Sequence, residues 1–272
     1  MMKILFIGNC QVTSLANIIS AADHEFICDS KEVWRMTQAE CEKVSTADYD
    51  AVIAQPLMSG RYGKLARNSL LANCKSNLLF IHNLHFEGVC PDCTYVGPLG
   101  NRVRGPMGTY HSSIVLRAFL EGKSVNECVS ILKKGTGIDV EEVWRNAIYS
   151  LRQREKDITV PFVDELLLHV KSNHCFHVFN HPNAYLLKRY AEKILATLLD
   201  EPDRVIETKQ PDLLARHGSW PTYSWLAETL DLPYRNDQFI IPNISNEPLS
   251  MTEFVERSYK MYLKVDKENL VI

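Results

Sequence analysis

Two periodicities organise the apolar positions of this chain. Lys3 to Ile7 (K-I-L-F-I) is a β-branched, apolar run of strand length. Gly8 and Asn9 then turn the chain, and Val12, Leu15, Ile18 and Ile19 recur at helical spacing. Three further runs read as strands: a short one over Glu25 to Cys28, Tyr49 to Ala54 ending at Gln55-Pro56, and Asn77 to Ile81 ending at His82-Asn83. Helical segments between them predict parallel pairing through right-handed crossovers. The expected fold class is therefore α/β, a flavodoxin-like parallel sheet with flanking helices. Because the strands end in polar residues, Cys10, Gln55 and His82 are expected along one edge. That is the carboxyl edge, where open α/β sheets bind ligands.

Beyond the fourth run the pattern changes. Gly88 to Gly108 is rich in Gly, Pro and Cys and reads as an irregular loop. A helical block follows over about 109–172. Ser124 with Glu127 forms a capping-box pattern, Asp139 can cap a longer helix, and Pro161 suits the opening of another. Cys175 to Phe179 returns to a strand, and Pro182 suits the first turn of the amphipathic helix bearing Leu186, Leu187, Tyr190 and Ile194. Ser250 with Glu253 repeats the capping box near the end. With no repeat or clear linker, the expectation is one α/β domain over 1–272, the helical block being an insertion over the sheet.

Composition narrows the class. The 272 residues are 46% hydrophobic, enough for a full core. A formal net charge of −3 gives no basic field for nucleic acid or an anionic membrane. No apolar run approaches a membrane span, and Met-Met-Lys leads directly into a strand, so no secretory leader is expected. Eight cysteines then read as reduced cytoplasmic thiols.

Cys10 carries the strongest chemical signal. It stands where a buried strand gives way to a helix, facing the N–H groups and positive dipole end that favour a thiolate. A small residue tolerated in a tight turn would occupy the same place. His181, at a second strand-to-helix junction, is suited to hold and return a nucleophile's proton, or simply to cap its helix. The backbone N–H groups of Cys10 and Gln11 and the side-chain amides of Asn9, Gln11 and Gln55 can stabilise an oxyanion. Arg102 and Arg104 can hold phosphates or remain solvated, with Arg61 and Lys64 as a second choice. His111, read at a helix start, is a candidate for substrate contact.

Several motifs resemble those of the WcbI family. They are G-N-C-Q at 8–11, H-N-L-H-F-E-G at 82–88, Y-H-S-S at 110–113 and N-H-P-N at 180–183. Members are linked to bacterial capsule polysaccharide biosynthesis. The resemblance implies an SGNH-hydrolase-like fold, binding of coenzyme A, and transfer of acetyl from acetyl-coenzyme A to a carbohydrate hydroxyl. By that likeness Cys10 replaces the SGNH serine, His181 stands as the late histidine, and Gln55 lies near the SGNH asparagine. Asn183 joins the substrate-binding candidates with His82 and His85. The chain departs from the pattern at His177-Val178-Phe179-Asn180, where no aspartate precedes the histidine.

Two other functions stay open. An SGNH-type hydrolase would use the same residues with water as acceptor. Alternatively, His82, His85, Cys90 and Cys93 give H-x-x-H followed by C-x-x-C, a set that could hold zinc in a non-enzymatic module, although the spacing is tighter than paired knuckles usually show. The leading expectation assigns no metal and lets His82 and His85 line the active site. It requires Cys10 and His181 to share one cleft. The acceptor sugar and the oligomeric state are left open.

Overall fold

The computed structural model describes residues 1–98, 100–241 and 248–272. The chain forms two compact units. One comprises residues 1–84, 151–167 and 182–214, the other 85–150, 168–181 and 215–272.

The first unit is built on a four-stranded sheet, β1 (Met2–Gly8), β2 (Phe26–Glu32), β3 (Ala51–Ala54) and β4 (Asn77–Phe80). The order is β2-β1-β3-β4 and every pairing is parallel, as the sequence predicts. β2 runs four residues beyond the expected segment because it pairs along the whole of β1, from Met2 opposite Phe26 to Gly8 opposite Glu32. Its central strands β1 and β3 are apolar and buried on both faces, as the interior of a parallel sheet requires, whereas edge strand β2 is largely polar. Leu5, Ile7, Val52, Ala54 and Phe80 form one buried cluster with Cys41 of α2 (Gln38–Lys43) and Leu70 of α3 (Arg67–Asn73). Ile4, Phe6 and Ile53 alternate with these and are equally buried. Helix α1 (Cys10–Ala22) packs along β2 and against α8 (Ala184–Leu199).

The second unit holds the antiparallel pair β5 (Cys93–Tyr95) and β6 (Tyr110–Ser112), with α4 (Ser113–Leu120), α5 (Val125–Lys134), α9 (Ser224–Leu230) and α10 (Met251–Tyr262). β7 (Phe176–Val178) also belongs to it. The helical block includes α6 (Val140–Glu155) and α7 (Val163–Ser172), and the division between the units falls within both helices. The capping boxes at Ser124 and Ser250 are formed, and Asp139 Oδ1 accepts from Glu142 N at 2.9 Å.

Four local expectations change. Residues 88–108 are not wholly irregular, since β5 pairs with β6 there; residue 99 lies outside the described set. His111 lies within β6, not at a helix start; Ser112 caps α4 instead. Pro161 precedes α7 by two residues, because Glu155 Oε1 accepts the N–H groups of Phe162 and Val163, both at 2.8 Å. Pro182 lies before the cap of α8, and Asn183 supplies that cap, its Oδ1 accepting from Leu186 N at 3.0 Å.

Asp92 is the polar centre of the second unit. It is buried, and its carboxylate accepts from Ser112 Oγ at 2.5 Å, Trp220 Nε1 at 2.9 Å and Tyr223 Oη at 3.0 Å. Burial raises its pKa, against the pull of those three donors. Asp92→Ala leaves three buried donors without an acceptor, so we expect a loss of about 3 kcal/mol or more in urea unfolding. A change within experimental error would show that the carboxylate holds nothing together.

Candidate active site

The strand order fixes where a site can form. The chain leaves β1 toward β2 on one side and then crosses to β3 on the other, so the order reverses between β1 and β3. The carboxyl ends flanking such a switch point open a crevice because their loops diverge. Gly8 ends β1 there, Asn9 and Cys10 follow it, and Gln55 follows β3.

Four side-chain amides knit these loops together. Asn9 caps α1, its Oδ1 accepting from Gln11 N at 3.0 Å and from Gln55 Nε2 at 3.2 Å. Gln55 Oε1 accepts from Asn9 N at 2.9 Å, and Asn9 Nδ2 donates to Asn83 Oδ1 at 2.8 Å. Gln11 is fully buried and clasps Leu84, donating to its carbonyl at 2.9 Å and accepting from its N–H at 3.0 Å. Asn9, Gln11 and Gln55, expected as oxyanion donors, thus join the ends of β1, β3 and β4. Gly8 is required here by close approach: a Cβ would lie 2.5 Å from Gln55 Oε1 and 2.7 Å from Val12 Cγ1.

Cys10 is the first residue of α1 and is partly exposed. None of the eight cysteines is in a disulfide. Burial pushes the Cys28 thiol up to about 11 and that of Cys175 up to about 12, and it also raises Cys41, Cys90, Cys93 and Cys128. Such thiols are poor nucleophiles at neutral pH. Among the described residues no group of three or more His, Cys, Asp or Glu is disposed to hold a metal ion.

His82 is buried beside this network. Its backbone N–H donates to Tyr190 Oη at 2.6 Å, and its ring Nε2 lies 3.4 Å from Glu155 Oε1. Burial lowers its pKa to about 4 despite the neighbouring carboxylate. Glu155 is itself desolvated, which raises it, but the N–H groups of Val163 and Phe162 and the ring of His82 hold it below the usual range. A cavity of 260 Å³ adjoins, lined by Gln55, Leu57, Met58, His82, Asn83 and Ile158 among others.

In the second unit His181 is buried among rings. Tyr110 meets it edge-on with centroids 5.8 Å apart, and His217 lies 4.5 Å away, tilted by 40°. Tyr110 Oη donates to Asn180 Oδ1 at 2.8 Å, and Asn180 Nδ2 donates to Tyr95 Oη at 3.0 Å. Phe179 packs against Tyr95, Tyr110 and His85. Arg102 lies over the Tyr95 ring at 5.2 Å and donates to the Gly97 carbonyl, while Arg104 is exposed. His111 points away from Tyr110, as neighbours on a strand must. Its two nitrogens are satisfied by Tyr262 Oη at 3.0 Å and the Val103 carbonyl at 3.1 Å. Asn83, Glu155 and His217 went unread in the sequence. Only Asn83, beside His82 in H-N-L-H-F-E-G, carried a local signal.

Gly8→Ala should force Gln55 out of the network and cost about 1–3 kcal/mol of stability. The cost should be smaller in a Gln55→Ala background, and equal costs in both would break the argument. His82 gives a pH signature. The unfolded ring protonates near 6.5 and the folded ring only near 4, so the unfolded state binds more protons in that window. Stability therefore falls as pH drops from 6.5 toward 4. Between pH 7 and pH 5, His82→Gln should lose about 2 kcal/mol less than the parent in urea unfolding.

The family model described as "Polysaccharide biosynthesis enzyme WcbI" matches residues 3–201. No curated protein matches the chain. A solved structure of WcbI superposes with a TM-score of 0.81 at 17% identity, covering 99% of this chain and 92% of that one. It is described as the native protein without a disulfide bond between coenzyme A and one of its cysteines. At that identity the likeness bears on the fold. The family match spans well over half of the sequence, and the chain belongs to the WcbI family of polysaccharide biosynthesis enzymes.

Proposed function

We propose that the protein transfers an acyl group, acetyl in the simplest case, from acyl-coenzyme A to a carbohydrate hydroxyl, with Cys10 as nucleophile and His181 as proton carrier. The observation that carries this reading is the position of Cys10. It is a partly exposed thiol at the start of a helix, over the carboxyl edge of the sheet beside the switch point. Coenzyme A as donor is supported by the WcbI structure, whose description pairs that ligand with a cysteine. A carbohydrate acceptor is supported by the family's place in polysaccharide biosynthesis.

The chemistry balances in two steps. His181 accepts the Cys10 thiol proton while the sulfur attacks the thioester carbonyl. The carbon–sulfur bond to coenzyme A breaks, and the departing thiolate takes the proton from His181. A sugar hydroxyl then attacks the acyl carbon, giving its proton to His181; the carbon–sulfur bond to Cys10 breaks, and His181 returns the proton to the departing Cys10 thiolate. The helix start favours negative charge on sulfur in both steps. The amide network holds that helix start in place. Arg102 and Arg104 remain the candidates for the donor's phosphates; Arg104 is exposed in its loop, and Arg102 lies over Tyr95.

Incubation with acetyl-coenzyme A and no sugar should add one acetyl group to Cys10 in an intact-mass and peptide experiment. Cys10→Ala should abolish the adduct and lower transfer roughly 10³-fold, and His181→Asn should lower it roughly 10²- to 10⁴-fold. Full transfer by Cys10→Ala would end the reading. Release of acetate at the same rate with and without sugars would establish hydrolysis in place of transfer.

A further inference from the structure

The cavity at the ends of β3 and β4 has a polar wall and an apolar one. Its 260 Å³ suits a single sugar ring and falls short of the roughly 300–1,000 Å³ of sites for larger ligands. Leu57, Met58 and Ile158 form the apolar wall. Met58 is 73% exposed, a flexible apolar side chain able to follow the C–H face of a ring.

On the polar wall, Gln55 and Asn83 are already engaged in the amide network. His82 is different. The Glu155 carboxylate accepts the N–H groups of Phe162 and Val163, so it has no proton of its own to give. Nε2 of His82, facing that carboxylate, therefore carries the ring proton. The other nitrogen, Nδ1, is left as a bare lone pair, and it is buried without a hydrogen-bond partner. Buried polar atoms in native proteins are nearly always satisfied, and an orphan acceptor on a ring that lines a cavity calls for a donor from outside the chain. A hydroxyl meets that need.

We propose that this cavity receives one ring of the carbohydrate acceptor, a ring hydroxyl donating to Nδ1 of His82 while the C–H face lies on Leu57 and Met58. This rests on the reading of the protein as a transferase to sugar hydroxyls and gives that acceptor a place. Glu155 acts through His82 as a positioning residue, since it fixes which nitrogen is the acceptor.

The test uses the full chain labelled at histidine rings and methionine methyls, followed by NMR during titration with methyl glycosides of a hexose, an N-acetylhexosamine and a hexuronic acid. At least one sugar should shift the His82 ring and the Met58 methyl signals in a saturable way. His82→Phe should raise the half-saturating concentration at least ten-fold. Should that variant fail to fold, Ile158→Trp, which narrows the cavity from its apolar wall, should give the same loss. No shift with any glycoside would overturn the proposal. So would shifts of these signals by pantetheine or coenzyme A and not by sugar, which would make the cavity a donor subsite. Acylation of Cys10, measured separately without sugar, keeps the two readings apart. A normally acylating protein with silent His82 and Met58 signals sinks the cavity proposal alone. Sugar-dependent shifts in a protein that never acylates sink the transferase reading alone.

Discussion

The contact between Gly8 and Gln55 is the constraint on which the arrangement of the first unit's strand ends depends. With no Cβ on residue 8, the Gln55 amide can lie against the end of β1 and hold the Asn9 N–H. From there the bonds run through Asn9 to Asn83 and through Gln11 to Leu84, so three strand ends are locked by side chains. Loops at a switch point diverge, and an open crevice there would otherwise leave each strand end mobile. The network holds the partly exposed Cys10 at a defined position without covering it.

The same economy of polar groups recurs elsewhere. In Y-H-S-S, Tyr110 binds Asn180, His111 joins Val103 to Tyr262, and Ser112 both caps α4 and donates to Asp92. A motif that looks chemical in the sequence is here largely a bolt, holding a two-stranded pair to its helix. His82 and His111 are both buried and both depressed in pKa, yet only His82 keeps an unpartnered nitrogen beside a cavity. Burial alone does not distinguish a structural histidine from a binding one; the inventory of partners does.

The parallel sheet, the edge bearing Gln55 and His82, and the capping boxes were legible because each rests on local patterns a few residues long. What was hidden lies in long-range pairing. Glu155 is 73 residues from His82 and reads locally as one more charge at the end of an amphipathic helix. His111 was misplaced because a three-residue strand leaves no periodicity, and its role depends on Tyr262, 151 residues on. Pro161 and Pro182 carried true boundary signals, but neighbouring side chains, Glu155 and Asn183, decided where the helices start. Asn9, Gln11 and Gln55 stood out by their position at the strand ends; that they would satisfy one another could not be read from spacing.

Asp92 has a consequence for anyone cutting this gene. Its acceptor oxygens are filled by Trp220 and Tyr223, and the His111 ring leans on Tyr262, all from the last fifty-odd residues of the chain. A fragment trimmed to the segment that defines family membership would keep the motif and discard the side chains that neutralise its buried polarity. Expression boundaries for this protein should follow those hydrogen bonds and extend through α10.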